Sequence, residues 1–118
     1  MKLSEVKRIL NASLLTPEDG LEKEVYSACG CDLMSDVLAF VKDRALLLTG
    51  LMNPQVVRTA EMMDIGCIVF VRGKTPEEDL IRLAEAKEIV LLRTDYPLYI
   101  ACGKLYEAGL IGKERGGI

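Results

Sequence analysis

Leu3, Val6, Ile9 and Leu10 recur at the spacing of one helical face, so the first ten residues predict a short amphipathic helix ending near Asn11. Ser13-Leu14-Leu15-Thr16 then predicts a short strand, Pro17-Glu18-Asp19-Gly20 a turn, and Glu24-Val25-Tyr26-Ser27-Ala28 a second strand. From Asp32 to Val41 the pattern is helical again, with Leu33, Val37, Phe40 and Val41 on a shared face.

Beyond Ala45 the pattern becomes regular. Ala45 to Thr49, Cys67 to Val71 and Ile89 to Leu92 are continuous apolar runs of strand length, and Pro54 to Asp64, Pro76 to Lys87 and Pro97 to Ala108 read as helices between and after them. Apolar strands separated by amphipathic helices predict a parallel sheet buried on both faces, because each crossover helix must cover one face. The expected architecture is therefore α/β: three layers, α/β/α, around a mainly parallel sheet. Helix starts agree with this. Asn53 before Pro54 is an N-cap followed by proline at the first helical position, and Thr75-Pro76-Glu77-Glu78 combines the same device with a capping box. Gly109 predicts the stop of the last helix. Residues 1–110 are expected to form one domain, with 111–118, which contains Gly112, Gly116 and Gly117, as a mobile tail.

Length and charge narrow the picture. A chain of 118 residues is long enough to bury a core without metal or disulfide support. Fifteen basic residues against eighteen acidic ones give a net charge of −3, with no Lys/Arg-rich block and no aromatics interleaved with basic residues. Nucleic acid is not an expected partner. The longest apolar runs fall far short of the roughly 20 residues that a spanning helix needs, so no membrane segment is expected. Met1-Lys2-Leu3-Ser4-Glu5 lacks the apolar region of a signal peptide, which makes a cytoplasmic location the expectation. In that compartment the four cysteines read as thiols, not as a disulfide frame.

Candidate chemistry gathers at the strand ends. In an open parallel sheet, ligands bind beyond the carboxyl ends of the strands, where helix N-termini point their free N–H groups. The residues there are Thr49, Gly50, Asn53, Arg72, Gly73, Lys74, Arg93, Thr94 and Asp95, and the three cations among them favour a small anion such as a nucleotide phosphate. The plainer reading makes Arg72, Lys74 and Arg93 solvated charges that balance Glu77, Glu78 and Asp95. A P-loop is excluded at Gly73-Lys74-Thr75, because the glycine required five residues before Gly73 is Ile68, inside the strand. Cys29-Gly30-Cys31, with Cys67 and Cys102, invites a metal. Its spacing is shorter than that of paired zinc cysteines, the chain has no histidine, and Cys102 shares an apolar stripe with Leu98 and Leu105. Asp32 and Asp36, four apart with Ser35 between them, suit a magnesium ion or, more simply, the first turn of a helix. Met62-Met63 suits a core or a self-association surface. No cofactor, metal or nucleophile–base pair is expected, and the leading expectation is a protein without catalytic activity.

With these elements placed, Ala45 to Leu110 resembles the DRTGG domain family. The matching words are Leu46-Leu47-Leu48-Thr49-Gly50, the strand Ile68-Val69-Phe70-Val71 ending in Arg72-Gly73, the Thr75-Pro76 helix start, and Leu91-Leu92-Arg93-Thr94-Asp95-Tyr96. The segment from Ser27-Ala28-Cys29-Gly30 to Val37-Leu38 also looks like small stand-alone members. Departures are visible too. The family's Asp-Arg after the first strand glycine is replaced around Leu51-Met52-Asn53-Pro54, and its Thr-Gly-Gly reads Val71-Arg72-Gly73. The resemblance implies a fold like the non-catalytic N-terminal domain of HPr kinase/phosphorylase, in a family that serves as accessory, regulatory parts of phosphate acetyltransferases and CBS-domain pyrophosphatases and tends to pair. The kinase's catalytic domain, with its P-loop, has no counterpart in these residues. The combined expectation is a regulatory or ligand-sensing homodimer, or a domain acting on a partner enzyme. The alternatives are an assembly module with no ligand and a small enzyme that uses the Arg72, Lys74 and Arg93 edge.

Overall fold

The structure, a computed structural model, describes residues 1–40 and 45–111, with Phe40 described by its backbone alone. In chain order the elements are α1 (Leu3–Ile9), β1 (Ser13–Leu14), a 3-10 helix (Glu18–Glu22), β2 (Ser27–Gly30), α2 (Met34–Phe40), β3 (Ala45–Thr49), α3 (Pro54–Met62), β4 (Cys67–Phe70), α4 (Glu78–Ala86), β5 (Val90–Arg93) and α5 (Leu98–Glu107). The strands form one five-stranded sheet in the order β1-β5-β4-β3-β2, and all neighbours are parallel except β1, which runs antiparallel to β5.

This order explains the layers. From β2 to β5 the chain steps across the sheet one strand at a time in one direction, and right-handed crossovers then place every intervening helix on the same face. Accordingly Leu47, Ile68, Phe70 and Leu91 pack against Met34 and Val37 of α2, Val56, Val57 and Ala60 of α3, and Leu80 and Ala84 of α4. The opposite face has to be covered from the two ends of the chain. Leu46, Leu48, Cys67, Val69, Val90 and Leu92 pack against Leu3, Val6 and Leu10 of the first helical segment and Ala101 and Leu105 of α5. Alternate residues of each central strand thus serve opposite layers, and no residue of β3 or β4 is exposed. The three-layer α/β/α architecture is the one expected from the apolar pattern.

Local differences have local causes. β2 lies at Ser27–Gly30, three residues later than Glu24 to Ala28, because the small residues of this edge strand pair with Ala45 to Leu48 of β3. The turn at Pro17 becomes the 3-10 helix. Leu33 precedes α2 and is 58% exposed, so it does not share the buried face, which Met34 and Val37 form. Phe40's side chain, Val41 and the tail from residue 112 lie outside the described residues. Asn53 caps α3 as expected, its Oδ1 accepting from the Gln55 N–H at 2.9 Å. The capping box at Thr75 does not form. α4 starts at Glu78, with Glu77 as N-cap and no side-chain capping bond, while Pro76 is buried ahead of it. Gly109, at φ 107°, stops α5 in the left-handed conformation that glycine adopts without penalty.

Candidate functional site

At the carboxyl edge, β4 and β5 send their following helices to opposite faces, α4 to one layer and α5 to the other. Such a divergence is the place in an open α/β sheet where a crevice forms. The two loops leaving these strands are tied together by backbone bonds from Arg72 N–H to the Tyr96 carbonyl and from Gly73 N–H to the Thr94 carbonyl, both 2.8 Å. Arg72 and Gly73 have φ of 63° and 70°, so two consecutive left-handed residues turn the chain out of β4. For arginine this conformation costs roughly 1–2 kcal/mol. The result is a rim that presents Arg72, Gly73 and Lys74 beside Arg93 and Asp95.

Two of the cations, though exposed, converge on one residue. The Arg72 guanidinium lies over Gly50, where a Cβ would collide with it, and it has no hydrogen-bond or ion-pair partner among the described residues. The Lys74 ammonium reaches the Gly50 carbonyl at 3.4 Å. Arg93 donates to the Gly73 carbonyl at 2.7 Å and to Asp95 at 3.3 Å, and its buried Nε has no partner among the described residues. Gly50 is thus the point on which Arg72 and Lys74 meet, and Arg93 supports the neighbouring loop from below.

A second carboxylate, besides Asp95, joins them, and it was not among the strand-end residues expected from sequence. Asp32, in the connection from β2 to α2, places Oδ1 2.8 Å from both the Thr49 hydroxyl and the Gly50 N–H. The Gly50 amide and the Thr49 hydroxyl, aided by the positive charges of Arg72 and Lys74, hold its carboxyl below the usual aspartate value. Placing β2 at Glu24 to Ala28 hides this role, because Asp32 then falls well past the strand. With β2 ending at Gly30, Asp32 belongs to the same edge. The structure also separates Asp32 from α2, which begins at Met34, so Asp32 and Asp36 are not two turns of one helix face.

The other expected residues divide by position. Thr49 and Thr94 are both buried. Thr49 donates to Asp32, while the Thr94 hydroxyl donates to the Leu10 carbonyl at 2.7 Å and accepts from Tyr96 N–H. Asn53 is spent on the α3 cap. Gly50, Arg72, Gly73, Lys74, Arg93 and Asp95 form the rim. The α5 start carries no side-chain cap and no acid in its first turn, unlike α4, whose first turn holds Glu78 and Asp79. The positive end of α5 is therefore not offset by an acid within its own first turn.

The thiols are placed for packing. Cys67 is fully buried and Cys29 half-buried; burial, with smaller contributions from Cys31, Cys102 and Asp36, pushes the Cys29 thiol up to about 11. Burial also drives the Cys67 thiol upward. Among the described residues no three His, Cys, Asp or Glu side chains are grouped to hold a metal, and no helix is long and apolar enough to cross a membrane. An open cavity of about 240 Å³ lies at the opposite, amino edge, around Gly66. There Lys87 pairs with Glu61 at 3.1 Å, and Lys23 donates to the Glu88 carbonyl.

No family model and no curated protein matches this chain. Among solved structures it is similar to the CBS and DRTGG domains of the regulatory region of Clostridium perfringens pyrophosphatase, complexed with the activator diadenosine tetraphosphate. The TM-score is 0.75 at 14% sequence identity, over 97% of this chain and 51% of that one. The chain spans about half the length of that structure's chain, and the likeness establishes a shared fold.

Proposed function

We propose that this chain is a non-enzymatic regulatory module that senses a nucleotide or another phosphate-bearing ligand at the carboxyl edge of its sheet. It acts as a homodimer or on a partner enzyme. One observation carries the reading: at the point where α4 and α5 diverge, Arg72 and Lys74 converge on Gly50 beside Arg93, next to the uncapped start of α5. Cationic side chains and a helix start are donors that bind phosphate oxygens. Catalysis is not part of the proposal. The chain has no histidine, and the raised Cys29 and Cys67 thiols are poor nucleophiles. The similar pyrophosphatase region, complexed with a dinucleotide activator, supports including adenine dinucleotides among the ligands tested.

A thermal-shift screen of adenine and guanine nucleotides, acyl phosphates and diadenosine polyphosphates tests the proposal. At a ligand concentration about 100 times Kd, binding stabilises by roughly 2.7 kcal/mol, which raises the melting temperature by several degrees. The Arg72→Ala/Lys74→Ala double variant should lose that shift while melting within about two degrees of wild type in buffer alone, because both side chains are exposed. A shift that survives the double variant places the site elsewhere. A second reading, an assembly module without a ligand, is favoured by the exposure of Tyr99 at 85% and Tyr106 at 66% on α5. It predicts self-association with no shift from any compound.

A further inference from the structure

The proposed anion site already contains an anion. Gly50 N–H is the first amide beyond β3, on the edge where a phosphate would seek a donor, and Asp32 Oδ1 occupies it at 2.8 Å. The same oxygen takes the Thr49 hydroxyl, and the carboxylate is close enough to Arg72 and Lys74 to feel both charges. It thus takes the amide and hydroxyl donors that the proposed ligand needs, within the field of the two cations. Asp32 is nevertheless loosely held. It is exposed and lies in the connection between β2 and α2, outside both elements; among the described residues its side chain has no hydrogen-bond partner besides Thr49 and Gly50. The backbone on either side of it is anchored independently, by Cys31 N–H to the Leu48 carbonyl at 3.0 Å and by Leu33 N–H to the Cys31 sulfur at 3.3 Å. The side chain is therefore free to leave without unpairing the strand or the helix.

We infer that Asp32 is a built-in competitor: its carboxylate holds the Gly50 amide and the Thr49 hydroxyl on the edge where Arg72 and Lys74 converge, and a phosphate-bearing ligand binds by displacing it. This rests on the proposed function above and deepens it, since Asp32 then sets which anions bind. A monoanionic carboxylate offers no gain over Asp32 and is rejected. A polyphosphate brings more charge and more acceptor oxygens to the same donors and wins. No bond is made or broken in this exchange.

The test uses tripolyphosphate and ATP as probes, which separates phosphate chemistry from nucleoside recognition, and acetate as the carboxylate control. Calorimetric titration should show Asp32→Asn binding both phosphates about tenfold or more tighter than wild type. Asp36→Asn, which removes an equal charge from the first turn of α2, should change affinity less than twofold. In wild type, the Gly50 amide resonance should move on saturation as its partner changes, and this readout does not depend on any variant folding. Acetate should leave it unmoved in wild type. Wild-type binding with equal or weaker affinity in Asp32→Asn, equal tightening by both variants, or a Gly50 amide that stays fixed while ligand binds would overturn the inference and leave the ligand-sensing reading standing. No binding of either phosphate by either protein at millimolar concentration would overturn both.

Discussion

Asp32 illustrates how a single exposed side chain organises a sheet edge. Its carboxylate is stabilised by one amide, one hydroxyl and two nearby cations, which together lower its pKa from the ordinary value. A folded-state pKa below the unfolded one, roughly 3.9, means that the ionised group stabilises the fold above that value and that the contribution is lost as pH falls through the lower, folded pKa. Wild type should therefore exceed Asp32→Ala in stability at neutral pH by about 1 kcal/mol, charge-assisted hydrogen bonds being discounted for solvent exposure. Melting curves from pH 7 down to pH 3 check this. The gap should be constant to about pH 5 and shrink below pH 4, whereas a gap independent of pH would mean that Asp32 acts through shape alone. Arg72 marks the same edge differently, by holding a left-handed backbone that favours glycine. Strain of this kind collects where a side chain must be aimed, and here it is aimed across Gly50.

The elements are held by the alternation of β3, β4 and β5 between two helical layers, and Val69 sits at its centre. It is fully buried, in register between Leu48 and Leu92, and faces α1 and α5. Val69→Asp places an unpaired charge there at a cost of several kcal/mol, against a typical domain stability of roughly 5–15. Circular dichroism should show loss of the cooperative transition, and a variant melting within two degrees of wild type would contradict the packing described. The central elements were legible because their apolar runs serve both layers: the span of β3 predicted from sequence matches the one observed, and α3 and β4 start where predicted. The edges were less so. Ser27-Ala28-Cys29-Gly30 has little intrinsic strand preference and is a strand because β3 pairs with it, while Glu24-Val25-Tyr26 lies ahead of the sheet, where Glu24 makes an isolated antiparallel bridge to Lys2 instead. That three-residue displacement is what hid Asp32 from the site. Thr94 is the converse case, a polar residue at a strand end whose hydroxyl is claimed by the Leu10 carbonyl, a partner 84 residues away in sequence that no local pattern announces.

At the scale of the whole molecule, a half-hydrophobic chain covers both faces of its sheet and still leaves Tyr99, Tyr106, Leu33 and Met62 more than half exposed. The proposed homodimer would cover part of that surface, burying about 1,200 Å² or more in total. Sedimentation at micromolar concentration should then report a species of twice 13.0 kDa, and a single 13.0 kDa species would remove the dimer from the proposal. The central claim, that ligands are sensed at the carboxyl edge, does not depend on that outcome. A two-dimensional ¹⁵N–¹H titration of the wild-type protein with ATP and with diadenosine tetraphosphate tests it most directly. The amides of Gly50, Arg72, Gly73, Lys74 and Asp95 and of the first turn of α5 should shift in a saturable way, while those of Gly66 and Glu88 at the amino-edge cavity stay in place. Shifts centred on Gly66 and Glu88, or none with either ligand at millimolar concentration, would contradict it.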